Sequence, residues 1–190
     1  MKLTGRQTLV LIAAVCVVPV LASYLAFYVW QPAKSTNYGA LLEPRPVVQE
    51  ALFEIDGEPF SPGQLRGRWI LAYAGASTCD ESCRQTLYYM RQVRTALGKE
   101  MDRVERVWLL TDPGRPDEAL LKQHPGLHVV RAERSALLAQ LDAAGAGVGT
   151  ARAVMTIDPL GNLMMRFPAD PEPKRMLKDL ERLLKASRIG

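Results

Sequence analysis

Two cysteines separated by three residues, Cys79 and Cys83, are the residues of this sequence best suited to chemistry. They follow a short apolar run, residues 69–74, which is typical of a strand buried on both faces, and they precede residues 84–97, whose apolar positions recur at helical spacing. Where a strand ends and a helix begins, unpaired backbone N–H groups favour a thiolate over a thiol. The two acidic residues that follow Cys79 act in the opposite direction on the thiol.

The spacing of the pair predicts that the two sulfurs lie close together. Thiols at positions i and i+4 face the same side of a helix, and Cys79 in the preceding turn can reach disulfide distance from Cys83. Outside the cytoplasm such a pair can cycle between dithiol and disulfide, and two thiolates can also hold a soft ion such as Cu(I). Both uses require sulfurs that another protein can reach. A fixed structural disulfide and two unrelated core cysteines are the alternatives.

The N-terminal segment predicts a membrane anchor. Residues 7–33 contain no charged residue, whereas about 20 apolar residues suffice to span a bilayer as a helix. Lys2 and Arg6 precede the run, which favours a cytoplasmic N-terminus and a domain on the outer side of the inner (plasma) membrane, the periplasm in a Gram-negative cell. The predicted organisation is a cytoplasmic N-terminus (1–8), a transmembrane anchor (9–30), a Pro-rich tether (31–46) and one domain (47–190).

A cleaved signal peptide is the rival interpretation of the same segment. Residues 20–22 have the small-residue spacing that a signal peptidase accepts, and Pro19 could break the helix before them. Cleavage there would leave residues 23–30 as an apolar new terminus, so we favour an uncleaved anchor. The domain is exported in both interpretations. Cys16 lies inside the run and is interpreted as a small apolar residue in lipid.

Length and composition limit the class of protein. The chain has 190 residues, of which 48% are hydrophobic and 23% charged, which excludes a disordered chain and suits one domain of ordinary size. Three cysteines are too few for a disulfide-stapled scaffold. The net charge of +4 depends partly on Lys2 and Arg6, and no basic stripe typical of nucleic-acid binding is present, so we expect no nucleic-acid partner.

Strand-like and helix-like segments alternate after residue 47, which predicts an α/β sandwich. A hairpin is predicted at residues 158–162, where Asp, Pro, Gly and Asn cluster. The predicted strands are 47–55, 69–74, 104–110, 127–131, 153–157 and 163–167, and the predicted helices are 84–97, 117–123, 135–143 and 173–186.

The cysteine turn and its surroundings resemble the Sco/SenC family. The resembling segments are residues 60–71, Gly75-Ala76-Ser77-Thr78-Cys79 with Cys83, Thr111-Asp112-Pro113 and Ile157-Asp158-Pro159-Leu160-Gly161-Asn162. Members of that family are membrane-anchored, thioredoxin-like proteins of cytochrome c oxidase assembly. The resemblance covers the chain from about residue 60 to the C-terminus. It implies a thioredoxin-like α/β sandwich preceded by a single transmembrane helix.

The sequence departs from the family at its copper site. The family places a histidine eight residues before the hairpin aspartate, here Asp158, and Thr150 occupies that position. The two histidines, His124 and His128, are interpreted as surface or loop residues. The usual three-ligand copper site is therefore not expected, which leaves the two cysteines as candidate copper ligands. Thioether candidates, which we interpret as core residues, are Met155, Met164 and Met165.

The resemblance implies a membrane-anchored thiol–disulfide protein that assists assembly of the oxidase copper site. Cys79 would attack as thiolate, and Cys83 would resolve the mixed disulfide. The expected partner is an oxidase subunit or another copper or thiol protein, and the expected metal is copper. The alternatives are a copper-binding chaperone module without enzymatic activity and a non-catalytic scaffold with a structural Cys79–Cys83 disulfide. A peroxidase, with Thr78 and Arg84 beside the thiolate, is a weaker alternative because both residue types are common.

Overall fold

The structure is a computed structural model that describes residues 4–29, 37–147, 153–187 and 189. The chain divides into two compact units, Met1–Thr36 and Asn37–Gly190. The first unit contains helix α1, Gly5–Val29, which is long and apolar enough to be a candidate membrane span. Pro19 lies inside this helix and does not end it. The helix break that the signal-peptide interpretation placed at Pro19 is therefore not observed. Cys16 is an exposed free cysteine on α1.

The second unit is built on an eight-stranded sheet with the order β1-β8-β7-β4-β5-β6-β2-β3. The central strands β4, β5 and β6 run parallel, and β7 pairs with β4 antiparallel. The strands are β1 Ala40–Pro46, β2 Leu52–Glu54, β3 Pro59–Phe60, β4 Trp69–Gly75, β5 Val104–Leu110, β6 Leu127–Arg131, β7 Val154–Ile157 and β8 Asn162–Arg166. The helices are α2 Glu81–Ala96, α3 Glu118–Lys122, α4 Ala136–Ala143 and α5 Pro173–Ala186, with 3₁₀ turns at Pro62–Leu65 and Gly98–Arg103.

Helices cover both faces of the sheet, which confirms the predicted α/β sandwich. Side chains alternate between the faces along β4, as the strand period of two requires. Trp69, Leu71 and Tyr73 join the apolar cluster formed with α2 and α5, whereas Ile70, Ala72 and Ala74 join the cluster formed with α4. Because helices cover both faces of the sheet, every residue of β4 is buried. This burial explains why the sequence of β4 is a continuous apolar run.

The folded unit begins earlier in the chain than the sequence predicted. The predicted tether includes residues 40–46, but these form β1, which pairs with β8 through Ala40 opposite Arg166 and Leu41 opposite Met165. The prolines suggested a linker, and β1 accommodates them because it lies at the sheet edge, where a missing N–H costs no ladder bond. The continuous strand predicted over 47–55 is also wrong, since only Leu52–Glu54 forms a strand there.

The first residues of this unit are bound to α5. The carboxylate of Asp179, a residue that is 2% exposed, accepts hydrogen bonds from the backbone N–H groups of Tyr38 (2.7 Å) and Gly39 (2.8 Å). The guanidinium of Arg175 lies 4.3 Å from the centre of the Tyr38 ring, and the ring of Phe167 lies 6.2 Å away. The chain is therefore held to α5 where it enters the folded unit.

Candidate functional site

The predicted proximity of the two cysteines is confirmed. Cys79 and Cys83 form a disulfide, with their Cα atoms 5.1 Å apart. Cys79 lies in the turn between β4 and α2, and Cys83 lies in the first turn of α2. The structure therefore holds the pair in its oxidised form, at the junction where the sequence predicted it.

The predicted accessibility of the pair is wrong for this oxidised form. Cys79 is 3% exposed and Cys83 is 1% exposed. Both belong to the apolar cluster that α2 and α5 form over the sheet, because their side chains point towards the face that these helices cover. The backbone around them is nevertheless superficial, since Thr78 and Asp80 are exposed on either side of Cys79.

Asp80 sets the geometry of the helix start. Its carboxylate accepts a hydrogen bond from the backbone N–H of Cys83 at 3.0 Å, which makes it the N-cap of α2. The Nε of Arg84 donates to the carbonyl oxygen of Cys79 at 3.2 Å. The acidic residue that follows Cys79 therefore stabilises the start of α2.

Cys79 adopts a backbone conformation that side chains rarely take. Its φ angle is +38°, in the left-handed region, and its N–H donates to the carbonyl of Ala76 at 3.1 Å. This conformation raises the energy of a residue that has a Cβ by about 1–2 kcal/mol. The disulfide and the helix cap hold the turn in a shape that the free chain disfavours.

Asp112 positions the turn from the neighbouring strand, a role that sequence reasoning missed. Its carboxylate accepts hydrogen bonds from the N–H of Ser77, at 3.1 and 3.2 Å, and from the N–H of Gly114, at 3.0 Å. A Cβ on Gly114 would lie 1.9 Å from Oγ of Ser77, so only glycine allows this approach. The position of Asp112 directly after β5 could have indicated this role, because the parallel strands β4 and β5 end at the same edge of the sheet.

We expect Asp112→Ala to loosen the cysteine turn. The N–H groups of Ser77 and Gly114 would lose their acceptor, which costs about 1–3 kcal/mol of unfolding free energy, and dithiothreitol should reduce the disulfide several-fold faster. The control is Asp117→Ala, since Asp117 caps α3 through the N–H of Ala119 at 3.0 Å and lies outside the turn. Urea unfolding and reduction kinetics measure both effects. Equal reduction rates in the two variants would contradict a positioning role.

The described residues do not supply a three-ligand copper site. No group of three His, Cys, Asp or Glu side chains that could hold a metal occurs among them, and Thr150 lies outside the described residues.

His124 lies in the loop after α3, as predicted, but is buried, and His128 contacts Glu54 with Nδ1 and Oε1 2.7 Å apart. After reduction, two thiolates could hold Cu(I). Met155 and Met165 are buried in the core and Met164 packs against it, as predicted.

Comparison with known proteins places this arrangement in a family. The family model described as a transmembrane-like, thioredoxin-like, C-terminal domain matches residues 69–187. The chain belongs to this family. The matched segment contains both cysteines, Asp112 and α5, so every feature of the cysteine turn described above lies inside the family domain.

Two curated relatives support the resemblance at the level of sequence. A Stutzerimonas stutzeri protein named for copper binding is 30% identical over 122 residues, which is 64% of this chain and 58% of that protein. The mouse mitochondrial protein named SCO2 homolog is 32% identical over 76 residues, 39% of this chain and 30% of that protein. The chain therefore spans less than two thirds of the length of either relative.

A solved structure shows the same fold. The solution structure of apo Sco1 from Thermus thermophilus matches with a TM-score of 0.64 at 23% identity, covering 80% of this chain and 99% of that one. This match in fold and the family model, which is described as thioredoxin-like, together confirm the thioredoxin-like sandwich. The curated relatives and the family model confirm the similarity to the Sco/SenC family that the cysteine turn predicted.

Proposed function

We propose that this chain is a membrane-anchored, Sco-like thiol–disulfide protein that assists assembly of the copper site of cytochrome c oxidase. The observation that carries the proposal is the Cys79–Cys83 disulfide at the end of a central strand. The candidate membrane span near the N-terminus supports an anchored protein. Lys2 and Arg6 support an orientation in which the folded unit lies outside the cytoplasm, where disulfides persist.

The proposed reaction transfers two electrons from this chain to a partner disulfide. The Cys79 thiolate attacks one partner sulfur, a mixed disulfide forms and the partner's other sulfur leaves as thiolate. The Cys83 thiolate then attacks the Cys79 sulfur, closes the intramolecular disulfide and releases the partner with two reduced cysteines. The partner's copper ligands would thus become free to bind metal. The N–H groups at the start of α2 favour the attacking thiolate.

The burial of the oxidised pair requires the turn to open before an external thiol can reduce the disulfide. Its backbone lies at the surface, with Thr78 and Asp80 exposed, so a small movement of the turn brings Cys79 to solvent. Cleavage of the disulfide also allows Cys79 to leave its left-handed conformation, which relieves local backbone strain. A partner could then reach Cys79 in the open reduced form but not in the closed oxidised form.

Trapping of the mixed disulfide tests the proposal. Cys83→Ser keeps the attacking thiol and removes the resolving one, so a covalent adduct with an oxidase subunit should accumulate in membranes. Cys79→Ser is the matched control and should give several-fold less adduct. Cys16→Ser is included in every variant to remove the free thiol on α1. Alkylated extracts are compared on gels with and without reductant, and equal adduct in both variants would end the proposal.

Copper carriage is a second candidate function, favoured by the relative that is named for copper binding. Copper would be cargo, held as Cu(I) between two thiolates of the reduced pair. Titration of the reduced full-length protein with Cu(I) against a chelator of known affinity separates the two functions. Binding that Cys79→Ser abolishes supports carriage, whereas weak binding that Cys79→Ser leaves unchanged removes it.

A further inference from the structure

The exposed face of α5 carries a short stripe of basic side chains, which the charge count of the sequence did not predict. Lys174, Lys178, Arg182 and Lys185 are all exposed and fall within an arc of about 80° at 3.6 residues per turn. The opposite side of the helix is buried through Met176, Leu180 and Leu184. Glu181 is the acidic residue beside the stripe, and the Nη1 of Arg182 lies 3.7 Å from Oδ1 of Asp179.

The three lysines of the stripe have no ionic partner among the described residues. The sequence pattern alone indicates a solvated face for them. A basic face that only contacts solvent could, however, lie on any exposed helix of the fold. The position of α5 relative to the chain entry supports a more specific role for these lysines.

The same helix holds the chain where it enters the folded unit. Asp179 binds the N–H groups of Tyr38 and Gly39, and Arg175 stacks on the Tyr38 ring. Eight peptide units separate the end of α1 at Val29 from Asn37, and a fully extended chain of that length reaches at most about 29 Å. The chain entry that α5 holds through Asp179 is therefore joined to α1 by a short covalent connection.

We propose that the basic face of α5 binds the anionic headgroups of phospholipids in the leaflet from which α1 emerges. Lysines near an anionic bilayer are attracted to it over about a Debye length, 8–10 Å at physiological salt. The short connection raises the effective concentration of headgroups around α5, so a few charges suffice. Such binding orients the folded unit on the membrane. The inference rests on the anchor in the proposed function and is independent of its cysteine chemistry.

Lysine footprinting of the full-length protein tests this surface. The chain is reconstituted into nanodiscs of phosphatidylcholine alone or of phosphatidylcholine mixed with phosphatidylglycerol, and brief acetylation is quantified by mass spectrometry. Lys174, Lys178 and Lys185 should react several-fold more slowly in the anionic discs at low salt, and high salt should remove the difference. Lys122 on α3 is exposed and should react equally in both.

Charge reversal provides the matched comparison. Lys178→Glu should reduce the protection of Lys174 and Lys185, whereas Lys122→Glu should leave it unchanged. Cys79→Ser should also leave it unchanged, so failure of thiol exchange and failure of lipid binding are distinguishable. Equal acetylation in the two lipid mixtures would overturn the proposal. Protection that arises only when a membrane-protein extract is added would overturn it too, in favour of an acidic protein partner.

Discussion

Asp179→Ala is expected to lower the unfolding free energy of the folded unit by about 2–4 kcal/mol. The carboxylate is buried and accepts hydrogen bonds from two N–H groups, those of Tyr38 and Gly39. Alanine leaves both donors without an acceptor, and each buried unsatisfied group costs about 1–3 kcal/mol. Urea unfolding of the full chain in detergent, followed by tryptophan fluorescence, measures the loss.

Two comparison variants separate this contribution from a general effect of removing an aspartate. Asp179→Asn keeps an acceptor oxygen and should lose less stability than Asp179→Ala. Asp102→Ala removes a carboxylate whose side chain is 83% exposed and that lies 3.5 Å from Arg94, so it should change stability by no more than about 0.5 kcal/mol. Similar losses for Asp179→Ala and Asp102→Ala would show that α5 does not hold the chain entry.

Acidification from pH 7 to pH 4 is expected to cost the protein about 3 kcal/mol of stability through His124. Burial of this side chain, together with the positive charges of Arg91 and Arg106, lowers the pKa of His124 to about 4. Burial likewise lowers the pKa of Arg106 to about 10, so that guanidinium stays charged throughout this range. His124 itself is 5% exposed, and its Nδ1 lacks a hydrogen-bond partner among the described residues.

The sign of the effect follows from proton uptake on unfolding. The unfolded histidine binds a proton below its ordinary pKa of about 6.5, whereas the folded one binds it only below about 4. Between these values unfolding takes up a proton, so stability is retained above pH 6.5 and falls as the pH falls. A difference of about 2.5 pKa units corresponds to about 3 kcal/mol.

Unfolding at several pH values, compared between variants, isolates the histidine from the carboxylates that also titrate. His124→Leu should lose clearly less stability than the unmodified chain between pH 7 and pH 4. His128→Asn is the control, because it removes the partly exposed histidine that contacts Glu54 and leaves His124 in place. It should keep the full dependence on pH. Identical pH profiles for His124→Leu and the unmodified chain would refute the assignment.

Several elements follow from local sequence pattern alone. The predicted limits of β5, β6 and α5 coincide with the structure, because strand alternation and helical periodicity are properties of neighbouring residues. The proximity of Cys79 and Cys83 is likewise a local property, because the two cysteines are four positions apart at a strand–helix junction. The hairpin at 158–162 was also predictable, with Asp158 accepting the N–H of Asn162 at 2.8 Å.

The sequence by itself therefore determined the central strands β4, β5 and β6, the helices α2 to α5 and which two sulfurs meet. Only the tertiary structure decided that residues 40–46 join the sheet, that the disulfide is buried, and that Asp112 and Asp179 hold the cysteine turn and the chain entry. These contacts join residues 35 and about 140 positions apart. Local periodicity carries no information about such pairs, because they form only when the packing of the sheet and α5 brings distant backbone donors to a carboxylate.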